Sequence, residues 1–332
     1  MSKKFTYVDL FCGAGGFTAG FERAGLKNVF SIDFDKNFCK TYKRNFPEHH
    51  LIEKDITLLT TKEIRNILGN TKVDIVIGGP PCQGFSIAGN IGRKFLDDDR
   101  NKLFNEFVRV VKIVRPAVFV MENVARLFSH NNNRTRRDIL KSFYEIGYKT
   151  ECKVVNAADY GIPQVRRRVL FIGTRNKKLQ ITFPEASVSH KVTVSDALED
   201  MPALNSGESS DAFFNHKAMR HSDQMITKMN FVLDGGDRLQ IPASIRPRTG
   251  DARKYIRYDS NAPSVTVTGD MRKIFHFSQN RALTVRELAR LQSFSDDFIF
   301  EGTSISQQQQ VGNAVPPLMA ETIARHLIKN LL

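Results

Sequence analysis

Val76-Ile77-Gly78-Gly79-Pro80-Pro81-Cys82-Gln83-Gly84-Phe85-Ser86 is the stretch that decides how this 332-residue chain is read. The run 73–77, apolar except for Asp74, predicts a buried strand. It stops at Gly78-Gly79. Pro80 and Pro81 then fix φ twice and remove two backbone donors, so the chain leaves the sheet on a stiff path. Cys82 follows at once, on a rigid support at the edge where α/β sheets bind ligands. Two readings of the thiol stand side by side: a nucleophile, or the small buried hydrophobe that free cysteines commonly are.

Working back from that strand, the pattern is strand, turn and helix. Tyr7–Leu10 predicts a strand, Phe11-Cys12-Gly13-Ala14-Gly15-Gly16 a tight turn, and Thr18–Ala24 a helix, which makes the first βα unit of a nucleotide-binding fold. Val29–Ile32 predicts the second strand. Asp33 at its end falls 17 positions after Gly16, near the roughly 20-residue offset at which an acid grips ribose hydroxyls. Phe34 is placed to stack on an adenine ring. Asp33 and Asp35 also fit a plain turn and helix cap. A helix over Lys36–Asn45, a short strand at Leu51-Ile52 ending near Asp55 and a helix over Thr60–Leu68 lead into the opening stretch. Beyond it, Asn101–Arg115 carries a helical apolar stripe, Ala117–Met121 predicts a strand with Glu122-Asn123-Val124 at its end, Arg134–Ile146 a helix and Val169–Gly173 a strand. Alternation of this kind implies an α/β doubly wound, mainly parallel sheet. No G-x-G-x-x-G pyrophosphate fingerprint is present, which favours S-adenosylmethionine, a cofactor without phosphates, over NAD.

Composition narrows the class. The chain is 41% hydrophobic and 25% charged, ordinary for a globular protein, and no apolar run approaches the roughly 20 residues that span a bilayer. Met1-Ser2-Lys3-Lys4 leads into a short strand-like segment, unlike a signal peptide, so a cytoplasmic, nucleoid-associated location without membrane contact is expected. Cys12, Cys39, Cys82 and Cys152 are scattered, with no metal-ligand spacing, and no metal is expected. The net charge is +14, from 49 basic and 35 acidic residues, and points to a polyanionic partner, nucleic acid first. The excess lies in 126–178 and 246–290, while the first hundred residues are nearly balanced.

After Lys178 the α/β rhythm fails. Pro184, Pro202, Ser206-Gly207 and Ser209-Ser210 punctuate a linker, with a short helix at Val194–Met201. Residues 205–280 read as a smaller, irregular domain in which Arg246, Arg248, Arg253, Lys254 and Arg257 interleave with Tyr255 and Tyr258. Arg281–Phe294 predicts an amphipathic helix with Thr284 and Glu287 as a capping box. Gln307–Gln310 reads as a bend, and Gly312-Asn313-Ala314 as the start of a final helix.

The ordered motifs DLFCGAGGF (9–17), GGPPCQGFS (78–86), ENV (122–124), QVRRR (164–168), RALTVRELARLQSF (281–294) and QVGNAVP (310–316) resemble those of DNA (cytosine-5)-methyltransferases, of the bacterial type II modification kind. The resemblance implies a Rossmann-like S-adenosylmethionine-dependent methyltransferase domain with a second, smaller DNA-recognition domain. It implies domains at 1–204 (catalytic), 205–280 (target recognition), 281–310 (bracing helix and hinge) and 311–332 (return to the catalytic domain). Phe11, Gly13, Gly15, Gly16, Asp33, Phe34, Asp55, Ile56, Pro80, Leu103, Asn313 and Ala314 would line the cofactor. Cys82, Glu122, Arg166 and Arg168 would surround a flipped-out cytosine. Asp33 and Phe34 depart from the family's usual Glu and from the Trp of some relatives.

In the implied reaction Cys82 adds to C6, Glu122 holds N3 and the exocyclic amine and protonates N3, Arg168 holds O2, and Arg166 helps keep the site cationic. Gln83, Ser86 and Arg100 sit in a loop, 83–100, expected to close over the base. Arg246, Arg248, Arg253, Lys254, Arg257 and Arg272, in 247–258 and 269–276 or just beside them, are expected to meet double-stranded DNA. A cognate restriction endonuclease would be a functional partner, and the chain is expected to be a monomer. The rival readings are a tRNA cytosine-5 methyltransferase, whose Cys-Phe-Thr tripeptide is missing here, a catalytically dead DNA-binding relative, and a nicotinamide-dependent dehydrogenase.

Overall fold

A computed structural model describes residues 4–81, 102–247 and 254–332. The chain divides into two compact units. The first comprises Met1–Asn156, Arg167–Glu185 and Met319–Leu332, and the second Ala157–Arg166 and Ala186–Leu318.

The first unit is built on a seven-stranded sheet of order β3-β2-β1-β4-β5-β7-β6. Strands β1 (Thr6–Leu10), β2 (Lys27–Asp33), β3 (Leu51–Glu53), β4 (Ile75–Gly78) and β5 (Val118–Val124) run parallel. β6 (Lys149–Asn156) and β7 (Arg167–Thr174) add an antiparallel pair at one side. Helices α1 (Gly16–Arg23), α2 (Lys36–Asn45), α3 (Thr61–Leu68), α4 (Lys102–Val114) and α5 (Arg134–Glu145) alternate with them, giving the doubly wound architecture expected. β4 is buried at every residue, as a central parallel strand must be, which explains its unbroken apolar sequence. Phe104, Phe107, Phe119 and Phe143 fill the core beside it, with the rings of Phe119 and Phe143 stacked 4.0 Å apart.

Caps fix where the helices start. Asp35 accepts from the Asn37 and Phe38 amides and begins α2, and Thr60 and Glu63 form a capping box on α3. Asp35 is therefore the helix cap that one reading of its sequence gave it. β5 runs through Glu122-Asn123-Val124 instead of stopping before them. β6 has no counterpart in the sequence reading.

The second unit has little regular structure. It holds the two-residue parallel strands β8 (Ile256–Arg257) and β9 (Ile274–Phe275) and the helices α6 (Val194–Leu198), α7 (Asp223–Phe231), α8 (Val285–Leu291) and α9 (Ser304–Asn313). The final helix, α10, spans Pro317–Asn330. Two expectations are corrected. Gln307–Gln310 is not a bend but the middle of α9, capped by Thr303, and Gly312-Asn313 ends that helix instead of starting the next. The Thr284–Glu287 capping box is present, but the helix it starts is only seven residues long.

Where strand ladders are scarce, arginine side chains satisfy the backbone. Arg286 is fully buried and donates to the carbonyls of Phe214, Ser295 and Phe298. Arg281 forms a buried two-pronged pair with Glu287, at 2.8 and 2.6 Å. Burial pushes the Glu287 carboxyl up, but Arg281 more than offsets this and leaves it below the usual carboxylate range. The guanidinium fork suits this task because it carries five donors in a fixed plane.

Candidate active site

The C-terminal ends of the parallel strands gather the predicted residues of the first unit. After β1 the chain makes its turn through left-handed backbone at Phe11 (φ 60°), Gly13 (φ 56°) and Gly15 (φ 97°). Gly15 could hardly be anything else. A Cβ there would lie 2.5 Å from Phe46 Cε2, and its φ is one that side-chain-bearing residues rarely adopt. Gly16 then opens α1.

Asp33, at the end of β2, reaches back to this turn. Its Oδ2 accepts from the Gly13 amide at 2.9 Å and its Oδ1 from the Asp35 amide at 3.0 Å. Burial holds its carboxyl above the usual range despite these donors. The Phe34 amide is a third donor to this carboxyl, and a carboxylate offers about four acceptor sites, so some acceptor capacity remains for a diol. Phe34 is next, its ring 66% exposed although it is large and apolar. An exposed aromatic side chain next in sequence to an acid that still has acceptor capacity and is bonded to the glycine turn suits an adenosine moiety. Asp55 follows β3 by two residues and caps the short turn at Ile56–Leu58, accepting from the Thr57 amide at 2.9 Å. The Ile56 carbonyl is held by Arg109 at 3.0 Å. Leu103 lies half-buried in the first turn of α4 and packs on the core.

Beneath the turn lies an acid that the sequence reading noticed only as a motif letter. Asp9 in β1 is fully buried, and Thr18 Oγ1 donates to its Oδ2 at 2.7 Å, bridging strand and helix. Burial pushes its carboxyl up to about 8. The signal was available, since Asp9 is the one charged residue in the strand Thr6–Leu10.

The catalytic candidates of this unit come from β4, β5 and β7. Pro80, buried, stands two residues beyond β4. Asn123 of β5 donates its Nδ2 to the Pro80 carbonyl at 2.9 Å, and its Oδ1 accepts from the Val124 amide. Glu122 sits one residue beyond the Gly78–Met121 pairing, opposite Leu170 of β7. Arg168, on β7, places Nε 2.8 Å from Glu122 Oε1, with both side chains about seven-eighths buried. The other Glu122 oxygen faces Gly79, where an added Cβ would come within 3.3 Å of it. Cys82, Gln83, Ser86, Arg100, Arg248 and Arg253, the expected loop 83–100 and part of 247–258 lie outside the described residues.

Arg166 belongs to the second unit and is used differently from the cationic role expected of it. It is buried and donates to the carbonyls of Val267, Gly312 and Ala314, at 2.9–3.0 Å. It thereby holds the backbone on either side of Asn313. Gln164 and Gln292 continue this buried lattice, with Gln164 Nε2 2.9 Å from Gln292 Oε1. Arg257 is a correction. Only 6% exposed, its guanidinium donates to the carbonyls of Met229, Val232, His276 and Gln279 and to Asn280 Oδ1, so it holds the second unit together and is not presented to DNA. Arg246 donates to the carbonyls of Leu239 and Ile241. Lys254 and Arg272 share Asp270, and Arg272 remains exposed.

Among the described residues, Cys12, Cys39 and Cys152 are free thiols. Burial pushes all three up, Cys39 to about 12, which makes them poor nucleophiles. No helix of the described residues is long and apolar enough to cross a membrane.

The family described as C-5 cytosine-specific DNA methylase matches residues 5–329 of the chain. Type II methyltransferase M1.HphI of Haemophilus parahaemolyticus is 58% identical over 324 residues, covering 98% of this chain and 87% of the relative. Type II methyltransferase M.DdeI of Desulfomicrobium norvegicum is 35% identical over 368 residues, covering 96% and 88%. Among solved structures, a prophage-encoded protein of Escherichia coli assigned as a DNA modification methyltransferase superposes with a TM-score of 0.81 at 28% identity, covering 99% of each chain.

Proposed function

Because the chain belongs to the C-5 cytosine-specific DNA methylase family, we propose that it methylates C5 of a cytosine flipped out of a specific duplex sequence, with Cys82 as nucleophile and S-adenosylmethionine as donor. It is a DNA methyltransferase of the type II restriction–modification class. The observation that carries the mechanistic reading is the Glu122–Arg168 pair at 2.8 Å, beside a proline turn that Asn123 grips.

C5 of cytosine is a poor nucleophile. Addition of the Cys82 thiolate to C6 breaks the ring's conjugation and turns C5 into an enamine carbon. Glu122 protonates N3 as the thiolate adds, through the oxygen that Gly79 leaves uncrowded. Arg168 holds Glu122 in place and reaches the base O2. After C5 is methylated, a base removes the C5 proton, the C6–S bond breaks to restore the C5–C6 double bond, and N3 returns its proton to Glu122. Bound S-adenosylmethionine supplies an electrophilic methyl group. Phe34 would hold its adenine and Asp33 its ribose, within a lining of Phe11, Gly13, Gly15, Gly16, Asp55, Ile56, Pro80, Leu103, Asn313 and Ala314. The raised thiols of Cys12, Cys39 and Cys152 support Cys82 as the reactive cysteine. The chain acts as a monomer, and an endonuclease that cuts the same sequence is its functional partner.

Duplex DNA synthesised with 5-fluorocytosine tests this reading, because fluorine does not leave C5 as a proton does. The wild type should give a denaturation-stable complex with that DNA, and Cys82→Ser none. Trapping by fluorinated tRNA alone would favour the tRNA reading instead, and trapping by Cys82→Ser would remove the nucleophile assignment.

A further inference from the structure

The first unit carries a cleft that the methylation chemistry does not use. It has a volume of about 520 Å³ and is lined, mostly through carbon atoms, by Leu140, Lys141 and Tyr144 of α5, by Tyr148, Lys149 and Thr150 around the start of β6, and by Lys177 beyond β7, so that its charges stand at the mouth. Strand register fixes its place. Lys149 pairs with Thr174, which pairs with Val118, the first residue of β5. Glu122 is four residues further along β5, or about 13 Å at the usual rise of a strand. The cleft therefore opens at the edge of the sheet opposite Glu122 and Arg168.

Its electrostatics are one-sided. Lys149 Nζ donates to the Leu179 carbonyl, which leaves its charge uncompensated, and Lys177 has no ion pair among the described residues. Lys141 meets Glu145 at 3.8 Å, with both side chains largely exposed, an arrangement of little energetic weight. Arg115 and Arg175 add positive potential at Tyr148. Like charges around a concavity focus the field on its mouth. One further feature suits a ligand: Tyr144, at the rim, is 71% exposed.

We infer that this cleft is a second, sequence-indifferent binding site for the phosphodiester backbone of duplex DNA. Lys141, Lys149 and Lys177 would neutralise phosphates, and the Tyr144 hydroxyl would donate to phosphate oxygens. The cleft and the Glu122–Arg168 pair lie at opposite edges of the sheet. The occupant is therefore a second duplex or a distant segment of the same molecule. The enzyme can then grip a new segment before releasing the old one, which transfers it between segments without free diffusion.

The test uses the full chain and a fluorescein-labelled 20-base-pair duplex at low salt. The wild type should bind two duplexes per chain, and unlabelled duplex should speed release of the labelled one in proportion to its concentration. The triple variant Lys141→Gln, Lys149→Gln, Lys177→Gln should bind one duplex and release it at a rate independent of competitor. Its salt dependence should be shallower by about 0.9 in the logarithmic slope for each lysine that meets a phosphate. Methyl incorporation into saturating DNA should not change. Glu145→Gln, which removes the acid beside Lys141, should tighten the weaker of the two binding events several-fold. One duplex per wild-type chain, or a triple variant that binds and exchanges like the wild type, would overturn the proposal.

Discussion

The Asn123 Nδ2 donates to the Pro80 carbonyl across 2.9 Å in a buried setting, and so ties the strand that carries Glu122 to the turn that leads to Cys82. On the proposed mechanism, this hydrogen bond between the ends of neighbouring parallel strands links the acid's strand to the turn that precedes the nucleophile. Asn123→Ala leaves a buried carbonyl without this donor, at a cost of about 1–3 kcal/mol. Misplacement of a reacting group by about an ångström costs on the order of 100-fold in rate. The expected outcome is a variant that still folds, with kcat in single-turnover methylation reduced about 100-fold and DNA affinity near that of wild type. Unchanged kcat would show that the turn holds itself.

On the proposed mechanism, Glu122→Gln keeps an oxygen for Arg168 but removes the proton that N3 takes up. General acid catalysis contributes about 10²–10⁴-fold. A loss of that size in kcat is expected, with Kd for duplex DNA changed less than threefold. Arg168→Ala should lose a similar factor and also leave Glu122 without its 2.8 Å partner, so the double variant should be little worse than either single one. Additive losses would mean that the two residues act separately.

How much of this could be read in the sequence depends on where each residue's partners come from. β4 and its proline turn were legible because a central parallel strand is apolar at every position and Pro80-Pro81 act through their own backbone. β6 was not, because Lys149, Glu151 and Lys153 alternate along a strand at the rim of the sheet, where charges are tolerated and resemble a loop's. The glutamine run of α9 looked like a polar bend. Its amides are instead satisfied at a distance: Gln308 accepts from the Met271 amide and Gln310 donates to the Glu301 carbonyl. The arginines misled most. A sequence records a charge but not where it points, and Arg257, Arg281 and Arg286 turn inward to hold carbonyls and a buried acid.

Asp9 makes stability depend on pH in a direction opposite to that of most carboxylates. Its folded-state carboxyl titrates at about 8, against roughly 3.9 in an unfolded chain. Between those values the native state holds a proton that the unfolded state has released, so stability falls as pH rises through the window and levels off above it. The slope from this one group is at most about 1.4 kcal/mol per pH unit. Asp9→Asn mimics the neutral acid and should abolish that component. The variant should match wild type near pH 4 and exceed it by a few kcal/mol near pH 8 in urea denaturation. Parallel curves for the two proteins would show that Asp9 is ionised in the folded chain.

Arg257 and Arg272 lie in the same basic segment and should behave as opposites. Arg257→Ala strips donors from the carbonyls of Met229, Val232, His276 and Gln279, each loss costing about 1–3 kcal/mol if water cannot replace it. The second unit should then lose cooperative unfolding, whatever DNA is present. Arg272 is exposed and, among the described residues, paired with the exposed Asp270, so Arg272→Ala should change stability by less than about 0.5 kcal/mol. If Arg272 meets a phosphate, as the DNA-binding role proposed for it requires, the salt dependence of binding becomes shallower by about 0.9 in the logarithmic slope, equally for all sequences. If it reads a base, the loss is confined to the cognate site and the slope is kept. Calorimetry and a salt titration on the two variants separate these outcomes, and a stable Arg257→Ala protein with weakened DNA binding would return Arg257 to the DNA surface.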